Sequence, residues 1–168
     1  MRYAQIRKYD VANGVGVRTV LFVSGCSHKC RGCFNEEYQD FRYGEEWNKE
    51  VEDQVVEYVS DKNVRGLTVL GGEPMQQVMD RDLVTLLKRV KEETGKEIWL
   101  FSGYTLEQIL EDNRRKEILS YCDVLVDGPF VEGLKDFKLR FRGSSNQRIL
   151  DVQKSIESNT PIFADILE

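Results

Sequence analysis

Between Val17 and Val23 the chain reads VRTVLFV, a β-branched and aromatic run that suits a buried strand and leads directly into Ser24, Gly25 and Cys26. The pattern therefore predicts a strand that delivers the first cysteine to the loop at its end. From Lys49 to Val59, Val51, Val55, Val56 and Val59 recur at helical spacing, and the short apolar run Leu67 to Leu70 then stops at Gly71-Gly72. A second helix is predicted over Asp80 to Glu93 through Leu83, Leu86, Leu87 and Val90, closed by Gly95 ahead of the run Ile98 to Phe101. Ser102-Gly103 ends that strand. Thr105 precedes a further helical stretch with Leu106, Ile109 and Leu110, and Val124 to Val126 is a last brief apolar run, ended by Asp127-Gly128-Pro129.

The repeating unit is βα, and parallel strands need such crossovers, so the pattern predicts an α/β fold with a mostly parallel sheet and helices outside it. With 168 residues the chain is too short for a full eight-unit barrel of about 250 residues, and an open, incomplete (β/α) barrel is expected, with the cysteine loop after its first strand. No internal repeat and no Pro/Gly/Ser-rich linker divides the sequence, which is read as one domain over 1–168. Cys26, Gly71-Gly72, Ser102-Gly103 and Asp127-Gly128 each fall just past the C-terminal end of a strand, where parallel α/β sheets gather their ligands.

Composition narrows the partners. The formal net charge of −5 gives no global attraction to nucleic acid or to acidic membranes, and neither partner is expected. Lys135, Lys138, Arg140, Arg142 and Arg148 crowd one stretch that could face an anionic ligand or protein, or could simply be solvated. The opening MRYAQIRKYD has no apolar core for a secretory signal, and no run approaches the length of a membrane span, so a cytoplasmic protein is expected. In a reducing compartment four cysteines, three of them within eight residues, read as metal ligands or reactive thiols rather than disulfides.

Cys26, Cys30 and Cys33 stand in the spacing C-x3-C-x2-C on that loop. A [4Fe-4S] cluster normally takes four cysteines, so three leave one iron open to a ligand from outside the protein, such as the amine and carboxylate of an amino acid. A zinc site would need a fourth ligand. His28 lies between two of the cysteines with a strained bite, Cys122 is far along the chain, and no second C-x2-C pair exists. His28 is then read as a polar loop residue or a group behind the ligands, and Cys122 as a small buried apolar residue.

Gly71-Gly72-Glu73-Pro74 follows a strand directly. Two glycines allow close backbone approach to a ligand, Glu73 offers a negative partner to an ammonium group, and Pro74 stiffens the exit, although a Gly-Gly turn is also an ordinary tight βα connection. Asn13-Gly14-Val15-Gly16 precedes a strand instead of following one and fits neither a dinucleotide fingerprint nor a P-loop. Ser102 and Asp127 could bond a ribose or a methionyl group, or could cap the next segment.

With these motifs together, the chain resembles the radical S-adenosylmethionine (SAM) superfamily and, within it, the activating enzymes of anaerobic (class III) ribonucleotide reductases. The cysteine motif and Gly71-Gly72-Glu73-Pro74 carry the superfamily likeness. The narrower one rests on Asn13-Gly14-Val15-Gly16-Val17-Arg18, Phe22-Val23-Ser24-Gly25-Cys26, Cys33-Phe34-Asn35, Ser102-Gly103-Tyr104, Val124 to Phe130 (VLVDGPF) and, most specifically, Arg142 to Arg148 (RGSSNQR). Val15 replaces a proline of the pattern, and Gly32 replaces an aromatic residue common before the third cysteine, which moves the expected adenine contact to backbone or Phe34.

The resemblance implies that a [4Fe-4S] cluster on Cys26, Cys30 and Cys33 reductively cleaves SAM to methionine and a 5′-deoxyadenosyl radical. That radical would take a hydrogen from a glycine in the reductase large subunit. It also implies SAM contacts from Gly71, Gly72, Glu73, Pro74 and Asn35, with Ser102 and Asp127 as further candidates. A low-potential donor such as flavodoxin or ferredoxin would supply the electron, and no protein acid or base is needed. The alternatives are an activase of another glycyl radical enzyme of the pyruvate formate-lyase type, a small-molecule radical SAM enzyme, or a non-catalytic zinc or iron–sulfur binding module. An open barrel would leave a lateral gap for a glycyl loop.

Overall fold

The computed structural model describes residues 1–166. A strand whose residues are all buried belongs inside a sheet, and β2 (Arg18–Val23) is such a strand. It lies between β1 (Arg2–Asp10), antiparallel to it, and β4 (Gly66–Gly71), parallel to it. The remaining strands are β3 (Glu45–Glu46), β5 (Glu97–Phe101), β6 (Val124–Asp127) and β7 (Arg148–Asp151). The helices are α1 (Lys49–Ser60), α2 (Asp82–Thr94), α3 (Leu106–Leu110), α4 (Asn113–Ser120) and α5 (Val152–Ser158). The strand order is β3-β1-β2-β4-β5-β6-β7, with β2, β4, β5 and β6 mutually parallel and the outer strands antiparallel.

The expected α/β class and the central βα units are present. The sheet as a whole is mixed and not closed: it is parallel through its middle, and both flanks end in antiparallel strands that the apolar pattern did not announce. β1 is rich in polar residues and mostly half-buried, and β7 is only four residues long within a basic segment. Their place comes from pairing with strands already there. α4 and α5 were likewise not expected from the pattern.

Local signals explain where helices begin and end. Asn48 caps α1 by accepting from Val51 N, Thr105 and Gln108 form a capping box at α3, and Gly95 closes α2 at φ 66°. Among the described residues no helix is long and apolar enough to cross a membrane.

Period-two alternation sorts the strands' side chains onto two faces. Leu21, Val69, Leu100 and Leu125 join a large core with residues from all five helices. On the opposite face Trp99, Val126 and Ile149 pack with Val15 and Phe141, and among the described residues that cluster draws nothing from a helix. Phe22, Leu70, Phe101 and Val126 on this face form the floor of a cavity toward the strands' C-terminal ends.

Arg18 closes the other end of that face. It is fully buried, donating through Nε to Thr68 Oγ1 at 2.8 Å, through Nη1 to Glu97 Oε1 at 2.7 Å and through Nη2 to Leu67 O at 3.0 Å. Burial lowers its pKa, and Glu97 opposes that shift. Arg18→Met should cost about 3 kcal/mol, since it strands buried acceptors, and should lower the midpoint of thermal unfolding by roughly 10 °C. A midpoint within 2 °C of the parent, roughly the shift that 1 kcal/mol makes, would contradict this.

Candidate functional site

The parallel pairing of β2 with β4 brings Val23 opposite Gly71, so the cysteine loop and the glycine turn leave the sheet side by side. Gly72 N donates to Val23 O at 2.7 Å and Glu73 N to Gly25 O at 2.8 Å. Two backbones this close leave no room for a Cβ. One on Gly72 would stand 2.6 Å from Gly25 O, and Gly71, at φ 109°, would place one 2.6 Å from Val23 O. The Gly-Gly pair is therefore required by loop-on-loop packing, and it also leaves bare backbone on the cavity wall.

The cavity holds about 550 Å³, within the usual range for a small-molecule site. Cys26, Cys30 and Cys33 line it together with Gly71 and Gly72. All three thiols are half-exposed, whereas Cys122 is fully buried on the helix side of the sheet, where its Sγ lies 3.5 Å from Ile118 O. Burial pushes the Cys26 thiol up to about 11, partly offset by a backbone hydrogen bond from His28, and burial raises Cys122 still further. A thiolate at Cys26 thus needs positive charge beside it, which iron supplies on binding. Among the described residues no three His, Cys, Asp or Glu side chains converge on a point suited to a single metal ion. Three cysteines on one cavity wall, with the fourth turned away, are donors of the type that iron–sulfur clusters use.

The remaining expected contacts separate. Asn35 and Ser102 line the cavity, and Asn35 Nδ2 reaches toward Gly71 O at 3.5 Å. Glu73 also borders it but is only 1% exposed, and its carboxylate accepts from four protein donors: Met75 N, Ser102 Oγ, Gly103 N and His28 Nε2. The ammonium partner expected at Glu73 meets a carboxylate already committed to the protein. Pro74 is buried outside the lining and opens a 3-10 turn over Pro74–Gln76.

Asp127 is not among the lining residues. It is 1% exposed, accepting from Leu106 N at 2.7 Å and from Arg148 at 3.0 and 2.5 Å, so it ties α3 to β7 instead of facing a ribose.

The basic stretch does not form one patch. Arg148 pairs with Asp127 and Glu107, Arg142 lines the cavity, and Lys135 lies over the rings of Phe34 and Phe137. The segment Arg142 to Gln147 works as a clasp on the loop after β6. Gln147 accepts from Gly143 N and donates to Gly128 O, and Asn146 donates to Pro129 O. A Cβ on Gly143 would stand 2.9 Å from Phe34, so this clasp also presses the loop toward the third cysteine's neighbour. Phe34 meets Phe130 at 4.9 Å, and Phe137, 85% exposed, stands at the cavity's edge.

Sequence reasoning missed Arg7, Gln76, Tyr104 and Arg115. Arg7 belongs to the unannounced strand β1, and the other three act through contacts between segments far apart in the chain.

Comparison with known proteins supplies an independent line. A family described as "4Fe-4S single cluster domain" matches residues 12–150. The anaerobic ribonucleoside-triphosphate reductase-activating protein of Vibrio cholerae is 41% identical over 152 residues, 89% of this chain and 97% of that protein. Proteins of the same name from Escherichia coli K12 and from Enterobacteria phage T4 are 38% and 37% identical over 150 residues, covering 88% and 89% of this chain and 96% and 93% of their own.

Proposed function

The chain belongs to the anaerobic ribonucleoside-triphosphate reductase-activating proteins, and from that premise we propose that it is a radical SAM enzyme that installs a glycyl radical on an anaerobic ribonucleotide reductase. The observation that carries this reading is the shared wall: three accessible thiols beside the bare backbone of Gly71-Gly72, facing a cavity of about 550 Å³. When bound on Cys26, Cys30 and Cys33, a [4Fe-4S] cluster supplies the single electron that reductively cleaves SAM and so allows hydrogen abstraction from a glycine of the partner.

The chain's own residues then bind, orient and shield. The cysteines would hold the cluster, Gly71 and Gly72 would offer backbone groups to the ligand's amino-acid end, and Asn35 and Ser102 would be further contacts. Phe34 and Phe130 offer apolar surface for the adenine and limit water at the edge. No side chain is assigned a proton transfer. On this reading the chain is one domain with its sheet as an incomplete barrel, works in the cytoplasm, and receives electrons from a flavodoxin or ferredoxin.

Anaerobic reconstitution tests the proposal. The expected result is a cluster whose electron paramagnetic resonance (EPR) signal changes with SAM, followed by a glycyl radical doublet when an anaerobic ribonucleotide reductase is added. One tightly held zinc and no response to SAM would refute it. A doublet on a pyruvate formate-lyase type enzyme but not on the reductase would move the substrate.

The open edge favours a macromolecular substrate, because a large exposed aromatic beside a cavity is a usual anchor for a protein partner. Phe137→Ala should therefore lower the ratio of glycyl radical formed to 5′-deoxyadenosine released by roughly tenfold, the effect of losing about 1.4 kcal/mol of docking energy. An unchanged ratio would remove Phe137 from the docking surface.

A further inference from the structure

Between Cys26 and Cys30 the loop has no regular secondary structure, and Lys29 holds a left-handed φ of 53°, which a residue other than glycine keeps only where its surroundings enforce it. Two tethers surround it. Ser27 N donates to Gln76 Oε1 at 2.9 Å, and Gln76 Nε2 lies 2.7 Å from Ser27 Oγ. His28 Nε2 lies 2.7 Å from Glu73 Oε1. That oxygen also accepts from Gly103 N at 2.6 Å, and because a carboxylate only accepts, the ring donates to it through the Nε2–H tautomer.

Both tethers end on the turn that directly follows Gly71-Gly72. A second layer backs them. The His28 ring meets Tyr104 edge-on at 4.6 Å, the Tyr104 hydroxyl is contacted by Gln76 Nε2 at 3.0 Å and Arg115 Nη2 at 2.9 Å, and Arg115 Nε donates to Met75 O. The arm from Cys30 to Cys33 differs, closing on a turn of its own through Cys33 N and Cys30 O at 3.2 Å, with Arg31 reaching out to Glu132.

We infer that His28 is a positioning residue: its bond to the buried Glu73 carboxylate holds the Cys26–Cys30 arm against the glycine turn, setting the cluster's distance and angle to the ligand. This rests on the functional reading above. Four donors converge on Glu73, so removing His28 leaves a buried acceptor short of a partner and leaves the arm that carries two of the three sulfurs tied to the turn through Ser27 and Gln76 only. Partners that stand behind metal ligands in this way typically cost about 10- to 100-fold when lost. Glu73 thereby acts through the cysteine loop rather than on the ligand.

The test compares His28→Ala and His28→Gln with the parent protein after anaerobic reconstitution. It reads iron per chain, SAM affinity by equilibrium dialysis, and the EPR spectrum with and without SAM. His28→Ala should weaken SAM binding about tenfold or more and shrink or alter the SAM-induced spectral change. His28→Gln, whose amide N–H can reach the same oxygen, should recover most of both. If His28→Ala holds no cluster, recovery of iron content by His28→Gln carries the same conclusion. Parental SAM affinity and spectrum in His28→Ala, or a His28→Gln protein no better than His28→Ala, would overturn the inference. A parent protein that takes up iron but ignores SAM would instead overturn the functional reading, while the iron contents of the variants would still report on the tether.

Discussion

Cys26→Ala, Cys30→Ala and Cys33→Ala should each abolish SAM cleavage, lowering it by more than about a hundredfold, beyond what the loss of a partner behind a metal ligand costs. Each thiol lines the same cavity, and two sulfurs cannot hold a four-iron cube with one corner free. Cys122→Ala is the control. Its sulfur is buried on the far face of the sheet among helix residues, so its loss should cost about 1 kcal/mol, a typical value for a point substitution, and leave iron content and SAM cleavage at parental levels. The measurements are iron per chain and 5′-deoxyadenosine released after reduction. If Cys122→Ala alone emptied the site, the idea of an open iron would fail.

Gly72→Ala should have the next largest effect. The added methyl would stand 2.6 Å from Gly25 O, 2.8 Å from Gly25 N and 2.8 Å from Tyr38 O. All three are backbone atoms that no rotamer change can move. Relief requires the glycine turn and the cysteine loop to part, which breaks the Glu73 N to Gly25 O bond and carries Cys26 away from the turn. The expected cost is about 1–3 kcal/mol of stability, as for other overpacked sites, together with loss of the SAM-induced spectral change. Gly133→Ala, which meets nothing within 4 Å, should leave both unchanged. A Gly72→Ala protein that bound SAM like the parent would show that close approach of these loops is dispensable.

Arg18, Glu73 and Asp127 show where sequence reading ran out. Each is a charged residue next to an apolar run, and nothing local distinguishes a group facing a ligand from one held by the protein. Arg18 meets Glu97 across 79 positions, Glu73 meets His28 across 45, and Asp127 meets Arg148 across 21. For Ser102 and Asp127 the sequence left contact and cap as equal alternatives. Ser102 borders the cavity while bonding Glu73, and Asp127 accepts from Leu106 N at the start of the preceding helix α3 instead of capping the segment after it. The RGSSNQR segment identified relatives well, yet its work as a clasp on Gly128 and Pro129 appears only once the chain has folded back on itself.

What the sequence by itself determined was the order of βα units, the strand ends on which Cys26 and Gly71-Gly72 stand, and the kinship that the comparisons bear out. Those features follow from periodic apolar burial and fixed spacing, which are local properties of the chain. Only the tertiary structure decided that β1, β3 and β7 finish the sheet as antiparallel strands, and that the glycines are needed for one loop to lie on another. It alone also showed that the Glu73 carboxylate is taken by four donors. These depend on which distant segments share space, and hydrogen-bond partners chosen across such distances leave no periodic trace in the residues that make them.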